Sequence, residues 1–490
     1  MPFDVFTIDT DEELAAFQRD LVKDQASYVN DAIQFILSMY PTLPQYEPPF
    51  PSAVIVVAHS MGGLVARTLP TLSNFVAGSV NTIITLATPH VAPPAPLEWR
   101  LARHYRDLNG VWSQHLGDGS TAVQDTLGLR SSTLISIAGG THDTMISSAL
   151  TEVRTFLPPE NGFTVYSTSM PNVWTAADHR AILWCNQVVK SLSRALFEVV
   201  DSASPQKTIG RAERLEVFNR ELQGTIRSAD ANDPLWQDPE DTIRLTGEQA
   251  DGTKSYQLSV PPKSSNLDTF LMMTDSSASD VFACRRNADS NESCTTATKR
   301  TEYRIPGRVK SKPLRLVVLH RGDLGNCVTI LIPAKLGHDE FLSAEMINEA
   351  DSVLEILSSQ FGNLDVSVPL NAALTTFRIP SITNGPLKYT VQWSQHCKEP
   401  TQALFPPILH QSFRSTSEAK FLTDPTQSLI TSYGHPKSAP WIQSDGLELR
   451  VLADPACGPL HLTLRIDWVS SLGALDMKIQ VAAFPGLQSS

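Results

Sequence analysis

Two textures of apolar and polar positions divide this chain. Over the first 200 residues, short runs rich in apolar and β-branched residues recur at Phe3–Ile8, Val54–Val57, Thr82–Ala87 and Thr133–Ala138. Such runs between turn-forming residues have the pattern of strands buried on both faces. Between them the period changes. Leu14, Phe17, Leu21, Tyr28, Ala32 and Phe35 share one predicted helical face, which stops before the prolines at 41, 44, 48, 49 and 51. Gly62–Leu72 reads as a second helix. A last helix follows His179, with Ile182, Leu183, Val189, Leu192 and Leu196 at helical spacing. Strands alternating with helices predict a mostly parallel sheet with helices on both faces.

The stretch SASPQKT, residues 202–208, reads as a linker, and the texture changes after it. Runs such as TIRLTG, SYQLSV, RLVVLH, CVTILIP, TTFRIP, KYTVQW and ELRVL alternate with Pro, Gly and Ser turns. That pattern predicts an all-β module, one sandwich or a pair. Ser343–Gln360 is a helix candidate within it, and no repeat of fixed period is visible. The expected organisation is an α/β unit over 1–205 and a β-rich unit over 206–490.

Composition narrows the function. At 490 residues the chain is too long for one compact domain, and its 41% hydrophobic and 18% charged content is that of a globular protein. A net charge of −12 argues against nucleic acid as a partner. The basic run KRTEYRIPGRVKSKPLR, 299–315, reads as a solvated loop and strand edge, or else as a contact for phosphate or anionic headgroups. No run of 18 apolar residues occurs, and MPFDVFTIDTDEEL lacks the basic and apolar regions of a signal peptide. Six cysteines are too few for a disulfide framework. Cys284 and Cys294 could close a short loop beside the sequon Asn291-Glu292-Ser293, which hints at an oxidising compartment. Cys327, Cys397 and Cys457 could include another bridge, and Cys185 reads as packing within a buried helix.

The chemistry centres on VIVVAHSMGGLVARTLP, 54–70. A serine hydroxyl is a weak nucleophile that needs a base, an exposed position and donors for the oxyanion it creates. A strand-to-helix turn between small residues supplies the exposure. Here Ala58 stands where the G-x-S-x-G pattern has its first glycine, and Gly62 supplies the second. The acid and base should follow in that order. Asp143 lies in GGTHDTMI after the strand at Thr133–Ala138, and His179 lies in WTAADHRAILW before the last helix. The expected triad is Ser60, Asp143 and His179, with the Met61 backbone N–H as an oxyanion donor. Asp178 is the rival acid and His142 the rival base. His59 and His90 are expected to line the pocket or to stand behind the triad. No metal or organic cofactor is implied.

AHSMGGLVARTL, NTIITLATPHVAPP, SIAGGTHDTMISS, VWTAADHRAILWCNQ and the helix DQASYVNDAIQFILSMY resemble the GPI inositol-deacylase family of the endoplasmic reticulum. The resemblance covers roughly residues 1–200, and the β-rich part is compatible with the family's lumenal β domain. It implies an α/β-hydrolase fold and removal of the inositol-linked acyl chain from GPI anchors. The implied substrate is the acylated GPI of GPI-anchored proteins, on the lumenal face of the membrane and linked to protein export. On that fold Val54–Val57 is the fifth strand and Phe3–Ile8 the fourth. The loop bearing the second oxyanion donor would then precede Met1, and the family's membrane segments would lie outside the sequence. The expectation is therefore a truncated member with an exposed sheet edge and weak or no activity. A general lipase or esterase, and a non-catalytic lumenal binding protein of the same ancestry, are the alternatives.

Overall fold

The computed structural model describes residues 3–11, 15–94, 98–116, 125–224, 241–247, 253–262, 265–277, 279–286, 292–296, 301–307, 312–324, 327–357, 363–382, 387, 389–398, 403–413, 416–423, 425, 429–431, 446–469 and 471. The first unit is built on four parallel strands in the order β1 (Val54–His59), β2 (Val80–Leu86), β3 (Thr133–Ala138) and β4 (Gly162–Tyr166). Successive residues of β2 and β3 feed opposite faces. Ile83 and Leu134 pack under α1 (Arg19–Met39), α2 (Met61–Thr68) and α3 (Trp99–Leu116). Ile84, Ile135 and Ile137 pack under α4 (Asn186–Glu198) and α5 (Arg211–Phe218). The contacts of this second face continue through Phe218 and Leu222, past the boundary expected at 205.

Among the described residues β1 is an edge strand. β2, β3 and β4 are buried throughout, whereas no residue of β1 is fully buried and Val57 is exposed. Phe3–Ile8 does not extend the sheet as expected. Phe3 sets its ring against Phe197 of α4, and Asp4 accepts hydrogen bonds from the Tyr40 and Tyr46 hydroxyls. These ties hold the segment against helices, with Val5, Phe6 and Ile8 exposed. The buried face of α1 also differs from the expected one. Val22, Ala26, Asn30 and Ile33 point inward, while Tyr28 and Phe35 are exposed. Asn30 explains the rotation, because its amide donates to the Leu69 carbonyl and to Asn74 Oδ1 beyond α2. Cys185 is a half-buried free thiol just before α4 rather than within a helix.

Beyond residue 241 the chain forms two β-sandwiches. The first has five strands ordered β10 (Thr301–Ile305), β11 (Leu314–His320), β7 (Thr269–Thr274), β13 (Phe341–Ile347) and β5 (Thr242–Thr246). They face β6 (Thr253–Ser259), β12 (Cys327–Lys335), β8 (Phe282–Arg286) and β9 (Glu292–Thr296) across a shared core. The second sandwich packs β14 (Val353–Glu355), β16 (Leu374–Ile379), β21 (Leu447–Leu452), β18 (Ile408–Phe413) and β19 (Thr416–Leu422) on β15 (Leu364–Val368), β22 (Leu460–Ile466), β17 (Tyr389–Gln395) and β20 (Leu429–Thr431). The helix expected over Ser343–Gln360 is instead β13, a turn and β14, with residues 358–360 outside the described residues. β13 is paired on both sides, by β5 and β7, and Leu342, Ala344 and Met346 alternate into the core. A central place in the ladder overrides helix propensity.

An apolar cluster including Leu271, Met273, Phe341, Phe405, Ile408 and Leu452 joins the sandwiches. Beside it the Arg244 guanidinium grips the buried Asp454 carboxylate through both nitrogens. In the basic run, Arg315 Nε donates to the buried Glu302 carboxylate at 2.7 Å, so that cation serves packing; residues 299–300 and 308–311 lie outside the described residues. Cys397 and Cys457 form a disulfide, and Cys284 is disulfide-bonded and stands opposite Cys294 in register. Asn291 of the sequon lies outside the described residues.

Candidate active site

Ser60 stands where β1 turns into α2. Its φ of 52° and ψ of −128° are rare for a residue with a Cβ, and such strain persists only when neighbours over-determine it. Here the neighbours are explicit. The Ser60 N–H donates to the Leu86 carbonyl at 2.9 Å, and the Ser60 carbonyl accepts from the Gly63 N–H at 3.1 Å and from Thr88 Oγ1 at 2.8 Å. Met61 opens α2, where first-turn N–H groups have no helical acceptor.

The other two side chains arrive on loops leaving the same end of the sheet. Asp143 follows β3, and its Oδ1 accepts the N–H groups of Met145 at 3.0 Å and Ile146 at 2.8 Å. His179 comes from the long loop after β4. That loop is pinned on the loop of Asp143 by the Ala177 N–H donating to the Gly139 carbonyl at 2.9 Å. A Cβ at Gly139 would lie 2.3 Å from the Ala177 carbonyl oxygen, so only glycine permits this approach. The three groups meet in one chain of hydrogen bonds. Ser60 Oγ lies 2.9 Å from His179 Nε2, and His179 Nδ1 lies 3.0 Å from Asp143 Oδ2. Asp143 and His179 are buried, and Ser60 is partly open.

The rivals face elsewhere. Asp178 is exposed and caps the next turn, accepting from the Arg180 and Ala181 N–H groups; those two bonds hold its carboxyl below the usual range. His142 is exposed. His90 is fully buried, its Nε2 2.9 Å from Thr85 Oγ1, and burial keeps it neutral, well below the usual histidine range. It therefore stands behind the site rather than lining it. His59 is half-buried against His179, with ring centroids 4.8 Å apart.

Three further residues escaped the sequence reading. Gly63, not Gly62, is the glycine the turn cannot replace. A Cβ on Gly62 would sit 3.8 Å from Ala58 Cβ, an ordinary contact, while one on Gly63 would lie 2.2 Å from Thr88 Oγ1. Thr88 matters because it fills that space and bonds the Ser60 carbonyl. Arg67 of α2 is wholly buried, its guanidinium 3.7 Å from the Phe156 ring centroid and 5.2 Å from that of Trp112. It donates to Asn109 Oδ1 at 2.7 Å and to the His90 carbonyl at 3.2 Å. Burial lowers its pKa to about 9, so it stays charged at neutral pH, supported by ring faces and neutral acceptors. An arginine inside the apolar run LVARTLP was the available signal.

Large apolar side chains stand exposed around this end of the sheet. Met145 follows Asp143, and Leu183 and Trp184 follow His179. Arg130 Nε donates to the His115 carbonyl, which sets the end of α3 beside the start of β3. The first residue of α3, exposed Trp99, is therefore at the site end, with Arg103 4.7 Å from its ring centroid.

Residues 1–199 match the family described as a PGAP1-like alpha/beta domain. The chain is 30% identical to a GPI inositol-deacylase of Phaeosphaeria nodorum, over 99% of this chain and 53% of that protein. The likeness is thus to GPI inositol-deacylases, over nearly the whole of this chain. A GPI inositol-deacylase of Aspergillus oryzae is 32% identical over 98% of this chain and 46% of its own length, and one of Aspergillus fumigatus is 29% identical over 98% and 48%. The chain spans about half the length of the curated relatives it matches. Among the described residues no helix is long and apolar enough to cross a membrane.

Proposed function

We propose that the chain is a serine ester hydrolase that removes the acyl chain from the inositol of GPI anchors, acting in the lumen of the endoplasmic reticulum. The observation that carries this reading is the continuous bond chain from Ser60 Oγ through His179 to Asp143 Oδ2. The family's relatives carry the name GPI inositol-deacylase, and the exposed Met145, Leu183, Trp184 and Trp99 suit a lipid substrate. In this mechanism His179 Nε2 takes the Ser60 proton as Oγ adds to the acyl carbonyl. Asp143 accepts the Nδ1–H and holds the ring in the tautomer that leaves Nε2 free. The oxyanion is met by the Met61 N–H. Collapse breaks the ester, and the proton passes from His179 to the departing inositol oxygen. Water then attacks the acyl-enzyme, again losing its proton to His179.

The test is fluorophosphonate labelling of the purified chain, followed by deacylation of an acylated GPI. Ser60 is the expected labelled residue. Ser60→Ala should abolish both readouts with the fold intact, and Asp143→Asn should slow turnover by about 10⁴-fold. Labelling that survives Ser60→Ala would put the reactive residue elsewhere and refute the proposal; none in the unaltered protein would refute it and leave the non-catalytic lumenal binding role.

A further inference from the structure

We infer that His59 is a positioning residue that holds the catalytic base in place while Ser60 is acylated, an inference resting on the hydrolase reading above. His59 Nε2 lies 2.8 Å from the backbone carbonyl oxygen of His179. A carbonyl only accepts, so Nε2 carries the proton and the bond runs from strand β1 to the loop of the base. His59 pairs across β1 and β2 with Leu86, so its backbone belongs to the sheet.

The loop needs such a tie. It leaves β4, the strand farthest from β1 in a four-stranded sheet. Three strand spacings of about 4.8 Å separate its origin from Ser60. Midway it is fastened to the acid's loop through Ala177 and Gly139. At the β1 end two bonds reach His179, from adjacent residues: Ser60 Oγ to the ring and His59 Nε2 to the carbonyl. Chemistry removes the first. Once Oγ has formed its bond to the acyl carbon and the alcohol has left with the proton, Oγ is an ester oxygen with no proton to donate. The His59 bond does not involve the reacting atoms and persists. It keeps Nε2 aimed where water must lose its proton before that proton returns to Ser60 Oγ. The burden therefore falls on the second half-reaction. The charged and titratable groups acting on His59 are His179, Asp143 and Arg180; burial is the main influence, lowering its pKa and favouring the neutral ring.

The experiment compares the unaltered chain with His59→Phe, which keeps a ring and loses the donor, and His59→Gln, whose amide nitrogen can replace Nε2. Each is treated with p-nitrophenyl acetate, and the acetyl-Ser60 adduct is followed by intact mass alongside nitrophenol release and the unfolding midpoint. The expected result is an adduct that decays about 10–100-fold more slowly in His59→Phe, with acylation less affected, a near-normal lifetime in His59→Gln and similar unfolding midpoints. Equal lifetimes in His59→Phe and the unaltered chain, or failure of the glutamine variant to the same degree as phenylalanine, would overturn the inference. Nitrophenol release by His59→Phe with no adduct accumulating would show that deacylation is not slowed and would equally overturn the inference. An unaltered chain that fluorophosphonate does not label would instead remove the hydrolase reading itself.

Discussion

Ser60 occupies a backbone conformation that its neighbours enforce, and the enforcing contact is Thr88 against Gly63. The hydroxyl of Thr88 holds the Ser60 carbonyl while its methyl and Cβ fill the space where a Gly63 Cβ would be. Gly63→Ala should therefore displace either the turn at Thr88 or the nucleophile. The expected outcome is destabilisation by about 1–3 kcal/mol from overpacking and a fall in Ser60 labelling of about 10²-fold. Gly62→Ala meets only an ordinary contact and gains helix propensity, so its labelling rate should stay within about 2-fold and its stability should not fall. Parallel labelling and unfolding measurements would check the pair; reversed sensitivities would show that Gly62 bears the constraint after all. The sequence motif pointed to Ser60 but not to this partner, because nothing local to GG says which glycine faces another loop.

Among the elements, α2 starts directly after Ser60 and α3 braces it from behind. His104 of α3 is the titratable part of that brace. Thr68 Oγ1 donates to the Leu64 carbonyl, so His104 Nε2, 3.0 Å from the same oxygen, is the donor in their bond. Burial, reinforced by Lys23, Arg19 and Arg67, lowers the His104 pKa to about 4 from 6.5. The unfolded chain thus takes up a proton below pH 6.5 that the folded chain refuses. Stability should fall between pH 6.5 and about 4 and level off below that, with about 2 kcal/mol lost by pH 5 from this residue. His104→Gln keeps a donor but cannot titrate. Denaturant unfolding at pH 7 and pH 5 should show a smaller acid loss in the variant; equal losses would mean that His104 does not drive it. The edge position of β1 belongs to this scale too. The alternation of strands and helices was legible in the sequence, but the rotation of α1 toward Asn30 and the detachment of Phe3–Ile8 were not. Both follow from polar ties to residues distant in the chain.

At the scale of the molecule, one three-layer α/β unit is followed by two sandwiches coupled through a shared apolar cluster and the Arg244–Asp454 pair. The Cys397–Cys457 bridge spans 60 residues of the second sandwich, joining the loop after β17 to the loop before β22. Closing a loop of that length restricts the unfolded chain by about 4 kcal/mol. Cys397→Ser with Cys457→Ser should lower the stability of the second sandwich by roughly that amount while Ser60 labelling stays unchanged. Domain-resolved hydrogen exchange would check this. Loss confined to the α/β unit would contradict the division of the chain into separately cored units.

By itself the sequence determined the strand–helix alternation, the change of texture near residue 202, the serine at the strand tip and the order of acid and base. These depend on local periodicity and chain order, which a linear reading preserves. Only the tertiary structure showed that a Cβ is excluded at Gly63 and not at Gly62, that His90 is sealed behind Ser60, that the bonds of Asp178 go to its own turn while Asp143 Oδ2 meets the His179 ring, and that residues 343–357 are strand and turn. Each of these turns on a contact between segments far apart in sequence. A side chain's role there depends on which neighbour fills its space or takes its proton, and that neighbour is fixed only when the layers pack.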